Sequence, residues 1–335
     1  MLFKNRKVQQ LTGMVFITLW TASCTITSDL PIIDFKQEMR DFVILISDTA
    51  RLTDPGFIVI PQNGQEIITS DGEADGDIEL LYLDAIDGAG REDLFYGYTG
   101  DDIATPVSEK DYMMNYLDLM ETSGVEVLVT DYCSTNSKMD TSYSENLSEG
   151  FISFAADQRS LNNIPNYPVF PYPHTSAAES NYPVTNLSDA RNFLYLINSE
   201  NYATKRDFID DVKLTNYDMI IMDLYHNETA FTNLEVDELK IKHDGGTRLV
   251  IAYMSIGEAE DYRYYWDDSW ETGNPTWLDL ENPDWNGNYK VRYWEEEWQD
   301  IILTGSSSYL GRILAAGYNG VYLDIIDGFE YYENH

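Results

Sequence analysis

Cysteine is almost missing from this chain of 335 residues: only Cys24 and Cys133 occur. Two cysteines build no disulfide framework, and Cys133, which follows an apolar run, reads as a buried, inert thiol. Histidine is nearly as scarce, with only His174, His226, His243 and His335. Neither type falls in the spacing of a zinc site, so no metal is expected. Cations are few as well. Lys and Arg number 21 against 58 Asp and Glu, a formal net charge of −37. A field of that sign repels nucleic acid and anionic lipid headgroups, and no nucleic-acid partner is expected. The sequence also lacks a glycine-rich dinucleotide fingerprint, a phosphate-cradling loop and a Ser-His-Asp arrangement, so no cofactor is expected. The acidity serves either solubility at a crowded surface or a cationic substrate; charge alone favours the first. What is plentiful is hydrophobic content, 43%, enough to fill a large core.

The first residues must be set aside before the fold is read. Lys4, Arg6 and Lys7 open the chain with no acid, an apolar run covers 11–22, and Ala22 and Ser23 precede Cys24. A basic start, a short greasy stretch and small residues describe a secretory signal. The run is shorter than the ~20 residues a membrane-spanning helix needs. The stretch Thr21-Ala22-Ser23-Cys24 resembles a bacterial lipobox, with Thr21 standing where Leu is usual. Residues 1–23 are therefore expected to be a signal peptide, Cys24 the lipidated residue and 24–33 a tether. The chain is expected to be exported and lipid-anchored to the cell envelope, at the outer membrane, with contact to the membrane through the lipid alone. Cleavage that leaves a free secreted or periplasmic protein is the alternative.

Residues 34–53 place Phe35, Met39, Phe42, Val43, Ile46 and Ala50 on one helical stripe, ended by Asp54-Pro55-Gly56. Short apolar runs follow at 57–61, 81–87, 125–131, 151–156, 193–198, 217–224, 248–255 and 320–327. Near-continuous apolar runs suit parallel strands buried on both faces. Helical stretches lie between many of them, at 108–123, 204–215, 232–243 and 292–317. Eight strands alternating with helices predict an α/β chain, a (β/α)8 TIM barrel over 34–335. A doubly wound open sheet is the competing arrangement. Pro165, Pro168, Pro171, Pro173 and Pro183 make 157–190 an irregular internal linker. The acidic stretch 71–77 begins like a calcium loop, but Tyr82 stands where a closing Glu belongs, so a solvated loop is expected.

In such barrels, functional groups come from the C-terminal ends of strands and the loops beyond them. Here those positions hold Asn63, Asp87, Glu92, Asp131, Asp223, Glu258, Asp324 and Asp327. One carboxylate at a strand end is often a cap or loop anchor. Five or more converging on one face are costly unless used. Paired carboxylates with aromatic residues are the equipment of glycoside hydrolysis. Residues 253–298 supply the aromatics, Tyr253 among them, although most are expected to pack the core and loops.

Three stretches resemble a known family: 57–64; the run Ile251-Ala252-Tyr253-Met254-Ser255-Ile256-Gly257-Glu258 with its continuation to Arg263; and Gly320-Val321-Tyr322-Leu323-Asp324-Ile325-Ile326-Asp327 with its continuation to Glu330. They are similar to the glycoside hydrolase family 114 type barrel, whose activity is endo-α-1,4-polygalactosaminidase. The resemblance implies a hydrolase of carbohydrate metabolism, endo-acting on a polysaccharide by a two-carboxylate mechanism. A non-catalytic glycan-binding lipoprotein on the same barrel is the alternative, and a structural surface protein a third. The motif order departs from the commoner members. There, segments like 193–198 to 320–327 come first, so this chain looks circularly permuted. By resemblance to related galactosidase-type barrels, Asp324 at the fourth strand in barrel order is the nucleophile. Glu92 near the sixth is the acid/base, with Asp87 the competing choice across the glycine-rich stretch 88–90. Asp327, Asp87, Asp131, Asp223, Glu258, Asn63 and Tyr253 are then implied to bind sugar or tune proton affinity.

Overall fold

Residues 33–335 are described by the structure, a computed structural model. The proposed signal peptide and Cys24 lie outside the described residues. The first element is the helix Phe35–Thr53, capped by Asp34, whose side chain accepts from the Gln37 amide. Its apolar stripe, Met39, Phe42, Val43, Ile46 and Ala50, is completely buried. A 3.6-residue period thus becomes one buried face, as expected for an amphipathic helix.

Eight parallel strands form the centre. In chain order they are β1 (Ile58–Pro61), β2 (Gly88–Glu92), β3 (Glu126–Tyr132), β4 (Ile152–Ala156), β5 (Phe193–Leu196), β6 (Met219–Asp223), β7 (Leu249–Ser255) and β8 (Gly320–Asp324). They pair as a five-stranded sheet, β1-β8-β7-β6-β5, and a three-stranded sheet, β2-β3-β4. The first strand thus lies beside the last, with Ile58 opposite Gly320 and Pro61 opposite Leu323. Isolated parallel bridges join the sheet edges. Gln62, just past β1, meets Gly90 of β2, and Ser153 of β4 meets Asn192, just before β5. The Asp87 amide also donates to the Val59 carbonyl at 2.9 Å. Residues Asp34–His335 make one compact unit.

The strand expected at 81–87 is a correction. Leu80–Ala85 is a helix, and the strand is the glycine-rich stretch that follows it. The reason is crowding inside the sheets. A Cβ on Gly90 would lie 2.1 Å from the Tyr322 hydroxyl, and one on Gly88 would lie 2.7 Å from Leu187. At those two positions no side chain fits, so the strand carries little apolar signature, while Leu80 and Leu81 of the helix are largely exposed. The stretch 292–317 is likewise two helices, Glu296–Leu303 and Tyr309–Ala316, parted at Gly305, whose φ is +83°. A helix at Asn136–Glu149 was not expected. Nor was the antiparallel trio Glu258–Glu260, Asn288–Val291 and Leu278–Glu281, which rises beyond the end of β7.

The linker 157–190 is mostly irregular, with one short helix at Ala177–Ser180 and a 3₁₀ turn at Leu187–Asp189. A fully buried ion pair ties it down. Lys242 Nζ donates to Asp218 at 2.6 Å and to the Ser180 carbonyl at 3.0 Å, while Tyr182 Oη donates to Asp218 at 2.6 Å. Burying two charges is costly unless every bond is made, and here these bonds tie the residue just before β6 and a loop residue to the linker. The two ends of the described chain also meet. Lys36 Nζ lies 2.7 Å from Glu333, and the Phe35 and Tyr332 rings are 5.6 Å apart.

Candidate active site

Three of the eight parallel strands end on a carboxylate: Glu92 is the last residue of β2, Asp223 of β6 and Asp324 of β8. All three line one cavity of about 310 Å³, together with Asn63, Tyr253, Glu258 and Asp327. Parallel pairing sets every strand's C-terminal end at the same side, so carboxylates far apart in sequence arrive together.

Asp324 is the most constrained. Tyr253 Oη donates to its Oδ2 at 2.5 Å, and the Ile325 amide donates to Oδ1 at 2.8 Å. Ile325 adopts φ +61°, a left-handed conformation uncommon for a β-branched residue. Burial, and then the charge of Glu92, push the Asp324 carboxyl up to about 7, against the pull of the Tyr253 hydroxyl. An attacking role for Asp324 needs the ionised form, and this upward shift works against it at neutral pH. Asp327 is also pushed up to about 7, by burial and then Glu330.

Glu92 is held from two sides. Tyr132 Oη donates to Oε1, and Asn63 Nδ2 approaches Oε2 at 3.4 Å. Asn63 itself sits at φ +59°, and its Oδ1 accepts from the Glu92 amide at 3.3 Å. Asp223 is paired with the buried Arg263, whose Nη1 lies 2.7 Å from Oδ2. Burial raises its pKa and Arg263 opposes that. Arg263 also binds Glu260 at 2.5 Å. Glu258 accepts from Asn282 at 2.8 Å and Asn288 at 3.3 Å.

Two expected site residues are not brought here. Asp131 is completely buried and accepts from the Phe95 and Tyr96 amides, Ser142 and Asn146. Side chains alternate along a strand, so the next residue, Tyr132, lines the cavity while Asp131 faces the helix Asn136–Glu149. Asp87 precedes β2 instead of ending a strand. It binds Arg51 at 2.8 Å and accepts from the Val59 amide, away from the cavity lining. Both are structural anchors.

Arg159, from the irregular linker, was missed. It lines the cavity, lies 3.9 Å over the Tyr132 ring, and is fixed by Asp93 and Asp101. No local pattern marked it, because its place depends on where the linker lands. Of the aromatics in 253–298, Trp277, Tyr293 and Trp298 are buried and Tyr265, Trp266, Trp270, Tyr289 and Trp294 pack half-buried on the core. Tyr262 and Trp285, each 59% exposed, show their rings to the cavity.

Residues 174–335, just under half of the chain, match the model described as Glycoside-hydrolase family GH114. That segment is similar to the GH114 family. It carries Asp223, Tyr253, Glu258, Asp324 and Asp327, whereas Asn63, Glu92, Tyr132 and Arg159 come from residues before it. Relatives are similar over comparable lengths. An uncharacterized protein of Methanocaldococcus jannaschii is 41% identical over 150 residues, 44% of this chain and 41% of that protein. One from Thermotoga maritima is 40% identical over 122 residues, 36% of each chain. One from Deinococcus radiodurans is 36% identical over 126 residues, 38% of each. The matched part of the chain thus spans less than half the length of these curated relatives.

The proton affinity of Asp324 has a consequence for stability. A carboxyl raised in the folded state stabilises it below its unfolded pKa, about 3.9. That contribution is lost as pH climbs through the folded value, here about 7. Asp324→Asn should therefore melt a few degrees above the parent at pH 8, with the gap closing toward pH 4. Calorimetric Tm values across that range check it; a gap independent of pH contradicts the assignment.

Proposed function

We propose that this chain is a glycoside hydrolase, endo-acting on a polysaccharide of the polygalactosaminidase type. The observation that carries the reading is the arrival of Asp324 and Glu92, each the last residue of its strand, in one cavity that also displays aromatic rings. Asp324 attacks the anomeric carbon as the bond to the leaving sugar oxygen breaks, and Glu92 gives that oxygen its proton. Glu92 then takes a proton from water, which cleaves the glycosyl ester and frees Asp324. Tyr132 and Asn63 orient Glu92; Tyr253 orients Asp324. An amino sugar suits the charge as well, because an ammonium beside Asp324 favours its ionised form.

The test is release of reducing ends from α-1,4-linked polygalactosamine by the purified protein. Glu92→Gln should lower turnover about 10² to 10⁴-fold, and Asp324→Asn more, since it removes the covalent route. Unchanged rates in both variants sink the assignment. With Asp324 attacking, kcat/KM rises as pH passes through about 7. A fall through that pH instead exchanges the roles of the two carboxylates.

We propose also that the eight strands close into one (β/α)8 barrel whose halves are exchanged relative to commoner family members. Support comes from the pairing of β1 with β8, the bridges at both sheet edges and the meeting of Lys36 with Glu333. Joining residue 335 to 34 with a short Gly-Ser linker, and opening the chain beside the exposed Val169, should give a protein that melts cooperatively near the parent Tm. A disordered product speaks against it.

Residues 1–23 we read as a signal peptide and Cys24 as the lipid-anchored first residue of an exported protein, on the basic start, apolar run and small residues before it. Mass spectrometry of the mature protein should find an acylated Cys24; an unmodified N-terminus elsewhere returns the protein to the secreted class.

A further inference from the structure

A second cavity, of about 430 Å³, lies on the other side of Tyr262 and shares Tyr262 and Arg263 with the first. We propose that it is a further sugar-binding subsite, so that a polysaccharide leaving the carboxylate cleft crosses the Tyr262 ring and seats its next unit there. The inference rests on the glycosidase reading and adds to it a site with its own walls.

Three observations carry it. The first is the shared wall. Tyr262 is 59% exposed yet not free: its hydroxyl donates to Glu260, and the Arg263 guanidinium lies 5.1 Å from its ring. Arg263 is in turn fixed by Asp223 and Glu260. An exposed ring held this way meets a ligand without losing rotamer freedom. The second is the rest of the lining. Tyr264 is stacked on Tyr225, with centroids 5.9 Å apart, its ring lies under Arg312 at 3.7 Å, and its hydroxyl donates to the Ser307 carbonyl. Trp266 is tilted against Tyr289 at 5.0 Å. These rings form one wall of the cavity, anchored on the core through Tyr225 and the half-buried Trp266.

The third is the chemistry of the rim. Glu228 and Asp268 are exposed carboxylates on the cavity lining. Aromatic surface beside a few acceptors suits a pyranose, which has an apolar C–H face and a rim of hydroxyl or ammonium donors. Continuity with the cleft fixes the occupant: what reaches this cavity across Tyr262 is the next unit of the same chain.

The probes are galactosamine oligomers of defined length, with binding measured by calorimetry on Asp324→Asn so that no turnover intervenes. Glu228→Trp and Asp268→Trp, each added to Asp324→Asn, fill the second cavity from exposed positions that folding does not depend on. We expect affinity to rise about tenfold once the oligomer is long enough to pass Tyr262. Both fillings should remove that increment and leave the shorter oligomers bound as before. If affinity does not grow with length, or grows equally in the filled variants, the subsite is wrong and the glycosidase reading stands. If no oligomer of any length binds, that reading falls and the subsite falls with it.

Discussion

Pairing of β8 with β1 on one side and β7 on the other sets Leu323 opposite both Pro61 and Met254. From that register the cleft follows. Tyr253 pairs with Tyr322, two residues before Ser255 meets Asp324, so Tyr253 and Asp324 share a face and the Tyr253 hydroxyl comes within reach of the Asp324 carboxylate. A slip of one residue would turn every side chain to the opposite face and send Asp324 outward. The same register brings Tyr322 up against β2, where only Gly90 leaves room for its ring. Glu92, two residues further on, is delivered to the cleft by a strand whose sequence was dictated by its neighbour.

Much of this was legible in advance. The helix Phe35–Thr53 and seven of the parallel strands lie where periodicity and apolar runs place them, because each buries its own side chains. The eighth did not, since Gly88, Ala89 and Gly90 bury almost nothing of their own; what makes them a strand is the bulk of Tyr322 and Leu187. Asp324, Glu92, Asp223 and Glu258, which line the cavity, were singled out by counting polar residues at run ends. The same count misplaced Asp131, which is one step out of phase, and Asp87, which inherited a strand end from a strand that is a helix. Arg159 and the antiparallel trio past β7 depend on long-range packing and left no local sign.

The scarcity of cations gives those present particular weight. Arg263, Lys242 and Arg159 each serve two or more acceptors. Arg263 neutralises part of a buried acidic pair at the cleft wall, Lys242 fastens the linker, and Arg159 braces the tyrosine that holds Glu92. An acidic chain with so few positive charges concentrates them where carboxylates would otherwise repel one another out of the folded state. The excess negative charge is left at the cleft and the surface.

Burial pushes the carboxyls of both Asp324 and Asp327 up to about 7, and this couples the cleft to the proton concentration around it. A ligand that prefers the ionised carboxylates must expel protons to bind, and a neutral one need not. By linkage, the first kind gains apparent affinity as the medium becomes more alkaline. Its binding heat then includes the ionisation enthalpy of whatever buffer accepts those protons. The cleft thus behaves as an ion exchanger for hydrogen ions, with the acidity of the surroundings setting which partners it retains.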